Sequence, residues 1–457
     1  MNMTQLTIQS LAELYRKRET FPVEVTHVLV EEIERENGKL NAYATITAEL
    51  ALEQAHIAEQ EMMKGQDRGP LHGVPINLKD NIVIAGIPTK AGSPIMNEYV
   101  PVRDAQVVTR LKEAGAILLG KANMMEFAYA ETHPSIGITN NPWNLEHTVN
   151  GSSSGSAASV AAGLAFGSLG TDTGGSIRIP SSYCGLVGLK PTYNLVSCDG
   201  VIPLAWSLDH VGPMTRSVYD NAALLSAISD FQFESDLLSS PSVAGLRIGV
   251  LQIGSDVTDE VQSAIMKLTQ YLKDQGASII REVKIPILKD TAKVLMGVML
   301  PEASAAHDEL LAEQGGQYHP LIRDRLEIGS LIPAVDYLRA QRFRARFCRE
   351  VNLAMQNIDV LVLPTTLSSA PRHDESPELD IPVIEALTQL TAPFNVTGLP
   401  ALALPTGISR SGLPLSMQIV GKPFTESIIY QVAAVCEQVT GCKGQVPSVK
   451  RIKNDQS

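Results

Sequence analysis

The sequence predicts an α/β protein in which a buried sheet is flanked by helices. Short apolar runs such as Pro75 to Leu78 and Ala116 to Leu119 stand between Gly and Pro residues, as strands buried on both faces do. Segments with apolar residues every three to four positions alternate with them, as amphipathic helices do. The bulk composition agrees: 457 residues, 44% hydrophobic and 19% charged, can bury a large core and carry no signature of disorder.

Taken in order, Ile8, Leu11, Leu14 and Tyr15, then Val25, Val28, Leu29 and Ile33, predict two amphipathic helices broken near Pro22. A third helix, Thr47 to Lys64, is rich in Ala and Glu and ends before the turn residues Gly65 to Pro70. The helix Ala105 to Ala114 separates the two apolar runs named above. A polar stretch, Glu234 to Ser242, leads into a strand at Leu246 to Leu251, a helix at Asp259 to Gln275 and a strand at Ala277 to Val283, a candidate βαβ unit. Asp290 to Met355 is mostly helical by pattern and is expected to cap the sheet. Strands return at Val360 to Leu363, Ala401 to Leu404 and Leu415 to Val420, before a last helix at Glu426 to Val439.

A net charge of −12 opposes direct binding to nucleic acid, which needs a concentrated basic surface. Arg342, Arg346 and Arg349, at helical spacing beside Phe343 and Phe347, read as a solvated helix face. The five cysteines form no C-x-x-C pair and no regular framework, so reduced thiols are expected rather than a zinc site or disulfides. No stretch of about 18 apolar residues and no signal-peptide pattern is present, which predicts a cytoplasmic protein without membrane contact. No His, Cys, Asp and Glu cluster has ligand spacing, so neither metal nor organic cofactor is expected.

Two Gly/Ser segments carry the chemistry. Asn150 to Ser156 reads NGSSSGS, Gly170 to Arg178 reads GTDTGGSIR, and the small-residue run AASVAAGLAFG lies between them. A linker would sit in polar sequence, whereas these turns abut runs that should be buried. A phosphate loop would need G-x-x-x-x-G-K-[ST], which is absent. Successive backbone N–H groups of Thr173, Gly174, Gly175 and Ser176 could instead hold the oxyanion of a tetrahedral intermediate. A serine there needs a base. His72 and His210 are the nearest imidazoles, and each reads more readily as structural. Lys79, at the end of the apolar run in GVPINLKD, could serve if burial lowers its pKa.

Together these segments resemble the amidase signature family. The resemblance rests on GVPINLKDNI around Lys79, GKANMMEFA from Gly120, NGSSSGSAA from Asn150 and GTDTGGSIRIPSSYCGLVGLKPT from Gly170, with weaker matches at SLDHVGPMTRS, FNVTGLPAL and GLPLSMQIVG. It implies a single large domain over residues 1–457 with a central mixed sheet covered by helices on both faces. Its parts would be N-terminal helices over 1–65, a core over 70–220, the cap-like region 290–355 and the rest of the core over 356–445. It also implies a Ser–cis-Ser–Lys relay: Ser176 as the acyl-forming nucleophile, Ser152 as the bridging serine and Lys79 as the base. Backbone N–H groups of Thr173 to Ser176 would form the oxyanion hole. Met125, Ala128, Tyr129 and Ser153 are expected at the substrate.

Two glycines of the usual GGSSGGS loop are replaced here, by Asn150 and by Ser154. Asn tolerates positive φ, so the first change is mild. The second bears on the backbone path and hydrogen bonding around Ser153. GSSSG also fits G-x-S-x-G, with Ser153 as the nucleophile of an α/β-hydrolase, but that needs a strand before it, and PWNLEHTVN, residues 142 to 150, is a poor one. The expected activity is hydrolysis of a small or aryl amide, with carbamates, ureas and esters open to the same chemistry and a homodimer admissible. The alternative is the A subunit of a glutamyl-tRNA amidotransferase, which uses glutamine as ammonia donor. Met125 departs from the acidic residue that this type of protein keeps. A silent binding protein on the same fold is the third reading, and retention of Lys79, Ser152 and Ser176 opposes it.

Overall fold

In the computed structural model, residues 3–232, 238–254, 256–375 and 381–447 are described. The start of the polar stretch expected at Glu234 to Ser242, up to residue 237, lies outside them, as do residues 376–380 of the expected C-terminal core. The N-terminal helices are α1 (Ile8–Lys17), α2 (Pro22–Leu40) and α3 (Ala48–Met63). Pro22 begins α2 rather than interrupting it, because a first-turn residue needs no N–H partner.

Strands β1 (Tyr43–Ile46), β2 (Pro75–Lys79) and β3 (Ile117–Ala122) are joined through α3 and α4 (Gln106–Glu113). A separate hairpin follows, β4 (Asn140–Asn141) with β5 (Asn144–Thr148). PWNLEHTVN therefore does contain a strand, contrary to expectation. It pairs outside the main sheet, so it gives Ser153 no strand-to-helix elbow on the central sheet. Next come α5 (Ser154–Ala161), β6 (Gly167–Asp172), α6 (Arg178–Cys184), β7 (Val187–Lys190), β8 (His210–Thr215) and α7 (Val218–Ile228). The small-residue run between the two Gly/Ser turns thus forms most of a helix and leads into a strand.

The remaining strands are β9 (Arg247–Leu251), β10 (Ser278–Val283), β11 (Val360–Pro364), β12 (Ala401–Ile408) and β13 (Pro414–Gly421). Eleven strands form one sheet in the order β1-β3-β2-β6-β8-β7-β12-β13-β11-β9-β10. It is mixed: β3, β2 and β6 run parallel, as do β11, β9 and β10, while the pairs between β6 and β11 are antiparallel. The helix Asp259–Asp274 joins β9 to β10, which is the expected βαβ unit.

Side chains alternate across this sheet. Val360 and Val362 of β11 enter one core with α1 to α5, α7, Asp259–Asp274 and the last helix, Glu426–Thr440. Leu361 and Leu363 enter a second core with the helices Thr291–Gln314, Pro320–Ser330 and Ala334–Ala354. Burial on both faces is why these strands read as continuous apolar runs. The region expected as a cap supplies the second layer. On its helix Ala334–Ala354, Arg342, Arg346 and Arg349 are exposed and Phe347 is buried.

Candidate active site

Lys79 ends β2, and its parallel neighbour β6 ends at Asp172; Leu78 pairs with Leu169 in register. Loops leave at the carboxyl ends of parallel strands, which is where open α/β sheets place their sites. One loop, before α5, carries Ser152; the other, between β6 and α6, carries Ser176. All eight residues of α5 are buried, and small side chains let it lie close to its neighbours. A Cβ on Gly155 would meet the Asn123 carbonyl oxygen at 2.6 Å, and Asn77 Nδ2 of β2 donates to Ser159 Oγ at 2.8 Å.

The Lys79 amine is wholly buried, and Nζ donates to Ser152 Oγ at 2.7 Å and to Thr171 Oγ1 at 2.7 Å. Burial pulls its pKa down to about 7, against the opposing pull of Asp172 and Asp209. A substantial fraction is therefore neutral near pH 7. The Gly151–Ser152 peptide is cis. Ser153 N donates to Ser176 O at 3.2 Å, which ties the two serine loops together. Among the described residues no hydrogen bond joins the Ser152 and Ser176 hydroxyls, but both serines wall one cavity.

Thr171, the second hydroxyl on Lys79, was not singled out by the sequence. It lies within the motif GTDTGGSIR, yet only the pairing of β2 with β6 brings it to the amine.

The donor loop is braced from below. Asp172 Oδ2 accepts from Ile177 N at 3.1 Å and Arg178 Nε at 3.0 Å, while Oδ1 accepts from Arg178 Nη2 at 2.9 Å and Asn395 Nδ2 at 2.8 Å. Burial alone would raise the Asp172 pKa, but Arg178 and Asn395 outweigh it and hold the carboxylate well below its usual range. Arg178 also donates to Thr391 O and to Gln418 Oε1 of β13. Thr391 Oγ1 in turn donates to Gly174 O at 2.6 Å. Thr173 Oγ1 donates to Asp209 Oδ1 at 2.6 Å; burial raises that carboxyl to about 6 despite this bond and two backbone donors.

Gly175 has φ +144°, and a Cβ there would collide with Thr391 Oγ1 and meet Ile179 Cδ1 at 2.8 Å. Among the described residues, the N–H groups of Gly174, Gly175 and Ser176 have no protein acceptor. They are available to a ligand.

Met125, Ala128 and Tyr129 wall the cavity with Ile179 and Leu204, and the capping helix Thr291–Gln314 adds Leu295 and Met299. Ser153, expected at the substrate, is not part of that wall. Its Oγ donates to Thr171 O at 3.1 Å and accepts from Thr171 N at 3.3 Å, because its position at the head of α5 turns it toward β6. Asn150 has φ +58°, the conformation for which Asn is the best substitute for Gly. Ser154 begins α5 and accepts from Thr139 Oγ1 at 3.2 Å, so its hydroxyl is used and Ser153 keeps both its bonds.

His72 and His210 are structural. His72 Nε2 bonds to Glu61, and His210 lies between Leu208 O and Lys190 Nζ. The five cysteines are free. Among the described residues, no helix is long and apolar enough to cross a membrane.

A buried lysine on a serine hydroxyl, beside a second serine in a loop of free N–H groups, defines a site suited to acyl transfer. The amidase family model matches residues 24–429, and the chain belongs to the amidase signature family of C–N hydrolases. It is 39% identical to an amidase of Pseudomonas putida over 96% of this chain and 97% of that one. It is 37% identical to the A subunit of the glutamyl-tRNA(Gln) amidotransferase of Moorella thermoacetica, over 96% of this chain and 98% of that one. A crystal structure of an amidase superposes with a TM-score of 0.87 at 33% identity, covering 95% of this chain and 100% of the other. The protein is accordingly an amidohydrolase on the amidase signature fold.

Proposed function

We propose that the protein hydrolyses carboxamides with a small or aryl apolar acyl group, by way of an acyl-enzyme on Ser176. What supports this above all is the buried Lys79 amine, 2.7 Å from Ser152 Oγ at the wall of the cavity that Ser176 shares. Neutral Lys79 accepts the Ser152 proton as Ser152 accepts that of Ser176, and Ser176 Oγ attacks the carbonyl carbon. The N–H groups of Thr173 to Ser176 take the oxyanion. Collapse breaks the C–N bond, and the proton returns through Ser152 to the departing amine. Water then repeats the sequence on the ester, releasing the acid and restoring Ser176. Carbamates, ureas and esters can follow the same course.

The similarity to the A subunits of amidotransferases favours a second reading, production of ammonia from glutamine for a partner protein. The cavity speaks against it. Among the described residues of its wall no side chain is charged, whereas glutamine brings an ammonium and a carboxylate that need partners once desolvated. An assay of amine release from aliphatic amides, anilides, carbamates and L-glutamine tests both. Apolar amides should be turned over with kcat/KM at least ~100-fold above glutamine, as expected when polar groups go unpaired. A phosphonyl adduct mapped by mass spectrometry should sit on Ser176. An adduct on Ser153, or glutamine as the preferred substrate, overturns the reading.

A further inference from the structure

The cavity wall Met125–Ala130 holds three non-glycine residues at positive φ: Phe127 at 47°, Ala128 at 62° and Ala130 at 70°. In this region the Cβ of an L-residue crowds its own backbone, so the segment persists only where its surroundings hold it. Part of those surroundings belongs to the core, where Phe127 N donates to Ala91 O at 2.8 Å, and part to the cap. Arg325, buried on the helix Pro320–Ser330, donates Nη1 to Tyr129 O at 2.7 Å, and its guanidinium lies 5.5 Å from the Tyr129 ring centroid. Glu126 accepts from Ser93 Oγ at 2.6 Å and from His319 N, at the start of the same helix, at 2.9 Å. The Phe127 ring meets His307 edge-on at 4.6 Å. Tyr129 is buried, and among the described residues its hydroxyl has no partner, so that hydroxyl does not anchor the ring; packing and Arg325 do.

We propose that Arg325 is a positioning residue for the substrate: through the carbonyl and ring of Tyr129 it holds Met125–Ala130 in its left-handed path and so sets which acyl groups the cavity accepts. The proposal rests on the cavity being the acyl site. A short acyl group at Ser176 needs little of this wall, whereas a longer one packs against Ala128 and Tyr129. Arg325 thereby controls selectivity without itself lining the cavity.

The test compares p-nitroanilides of acetic and octanoic acid. Arg325→Met should raise KM for the octanoyl substrate ~5-fold or more, the scale of one or two lost apolar contacts, and leave kcat for the acetyl substrate within about twofold. Adding Ala130→Gly, which adopts positive φ without strain, should recover part of the octanoyl KM, a rescue that a merely structural arginine would not permit. Should Arg325→Met not fold, Arg325→Lys keeps the charge but not the flat contact on the ring, and should give a smaller shift in the same direction. A folded variant with unchanged octanoyl-to-acetyl selectivity, or no rescue by Ala130→Gly, overturns the proposal. Wild-type protein inert toward both anilides and every other amide would instead overturn the amidase reading on which it rests.

Discussion

Among the described residues three lysines, Lys79, Lys121 and Lys190, are wholly buried, and their partners differ. Lys121 pairs with Asp80 at 3.0 Å, and Lys190 lies between Pro191 O and His210 Nε2. Lys79 alone of the three meets a serine hydroxyl. If Lys79 is the base, only its neutral form works, so turnover should climb as pH passes through about 7 and level off above. A pH–rate profile with a maximum below about 6 sinks this assignment. The same amine weakens the fold. Its folded pKa lies below its unfolded one, so below about 7 the native state binds its proton at full cost of burying a charge. Above about 7 the native state sheds that proton while the unfolded chain still holds it, so the penalty is relieved and stability rises with pH up to the unfolded value. Lys79→Met removes the titration and should be inactive. Its gain in thermal stability over wild type should therefore be largest below about pH 7 and shrink as pH rises toward the unfolded lysine value; a gain independent of pH across that window would mean the amine does not titrate near 7. Nothing local in the sequence separates these three lysines, since each stands in an apolar run. The family pattern around GVPINLKDNI was needed to choose.

The loop from Thr173 to Ile177 depends on a glycine that admits no Cβ. Gly175→Ala would press on Thr391 Oγ1 and Ile179, and Thr391 holds the Gly174 carbonyl. Displacing the loop's N–H groups should lower kcat ~100-fold or more, the cost of losing one oxyanion donor. Gly174→Ala is the control, because its Cβ would sit 3.6 Å from Thr388 Cγ2, an ordinary contact. It should fold as wild type and retain more activity than Gly175→Ala; equal loss in both would remove the steric argument. The α5 element was legible as a small-residue run, and the Gly and Ser residues around it as turns. That Ser153 faces β6 rather than the cavity was not, since the turn of a helix start depends on what packs beneath it.

At the scale of the molecule, Arg178 joins parts of the chain far apart in sequence: Asp172 on β6, Thr391 and Asn395, and Gln418 on β13. Arg178→Met would leave the Asp172 carboxylate buried without its ion pair. Removal of one partner of such a pair costs about 3–5 kcal/mol, so a large fall in the thermal midpoint together with lost activity is expected. A midpoint within a degree or two of wild type would mean that Asn395 and the backbone suffice. The two-layer cover of the sheet has a comparable reach. The helices that shape the cavity through Leu295, Met299 and Arg325 also close the second core, so substrate fit and stability are coupled there.

By itself the sequence determined the α/β class, seven of the thirteen described strands, most of the long helices, and the segments that carry Lys79, Ser152 and Ser176. Periodicity, punctuation by Gly and Pro and a motif of this length are properties of neighbouring residues, so they are written locally. Only the tertiary structure decided that Thr171 shares the Lys79 amine, that Arg178 and Asn395 brace Asp172, and that a capping helix grips Tyr129. Three of those contacts, Lys79 to Thr171, Asp172 to Asn395 and Tyr129 to Arg325, join residues 92, 223 and 196 positions apart. Strand order and layer packing alone bring such residues together, and the same burial that joins them lowers the lysine pKa.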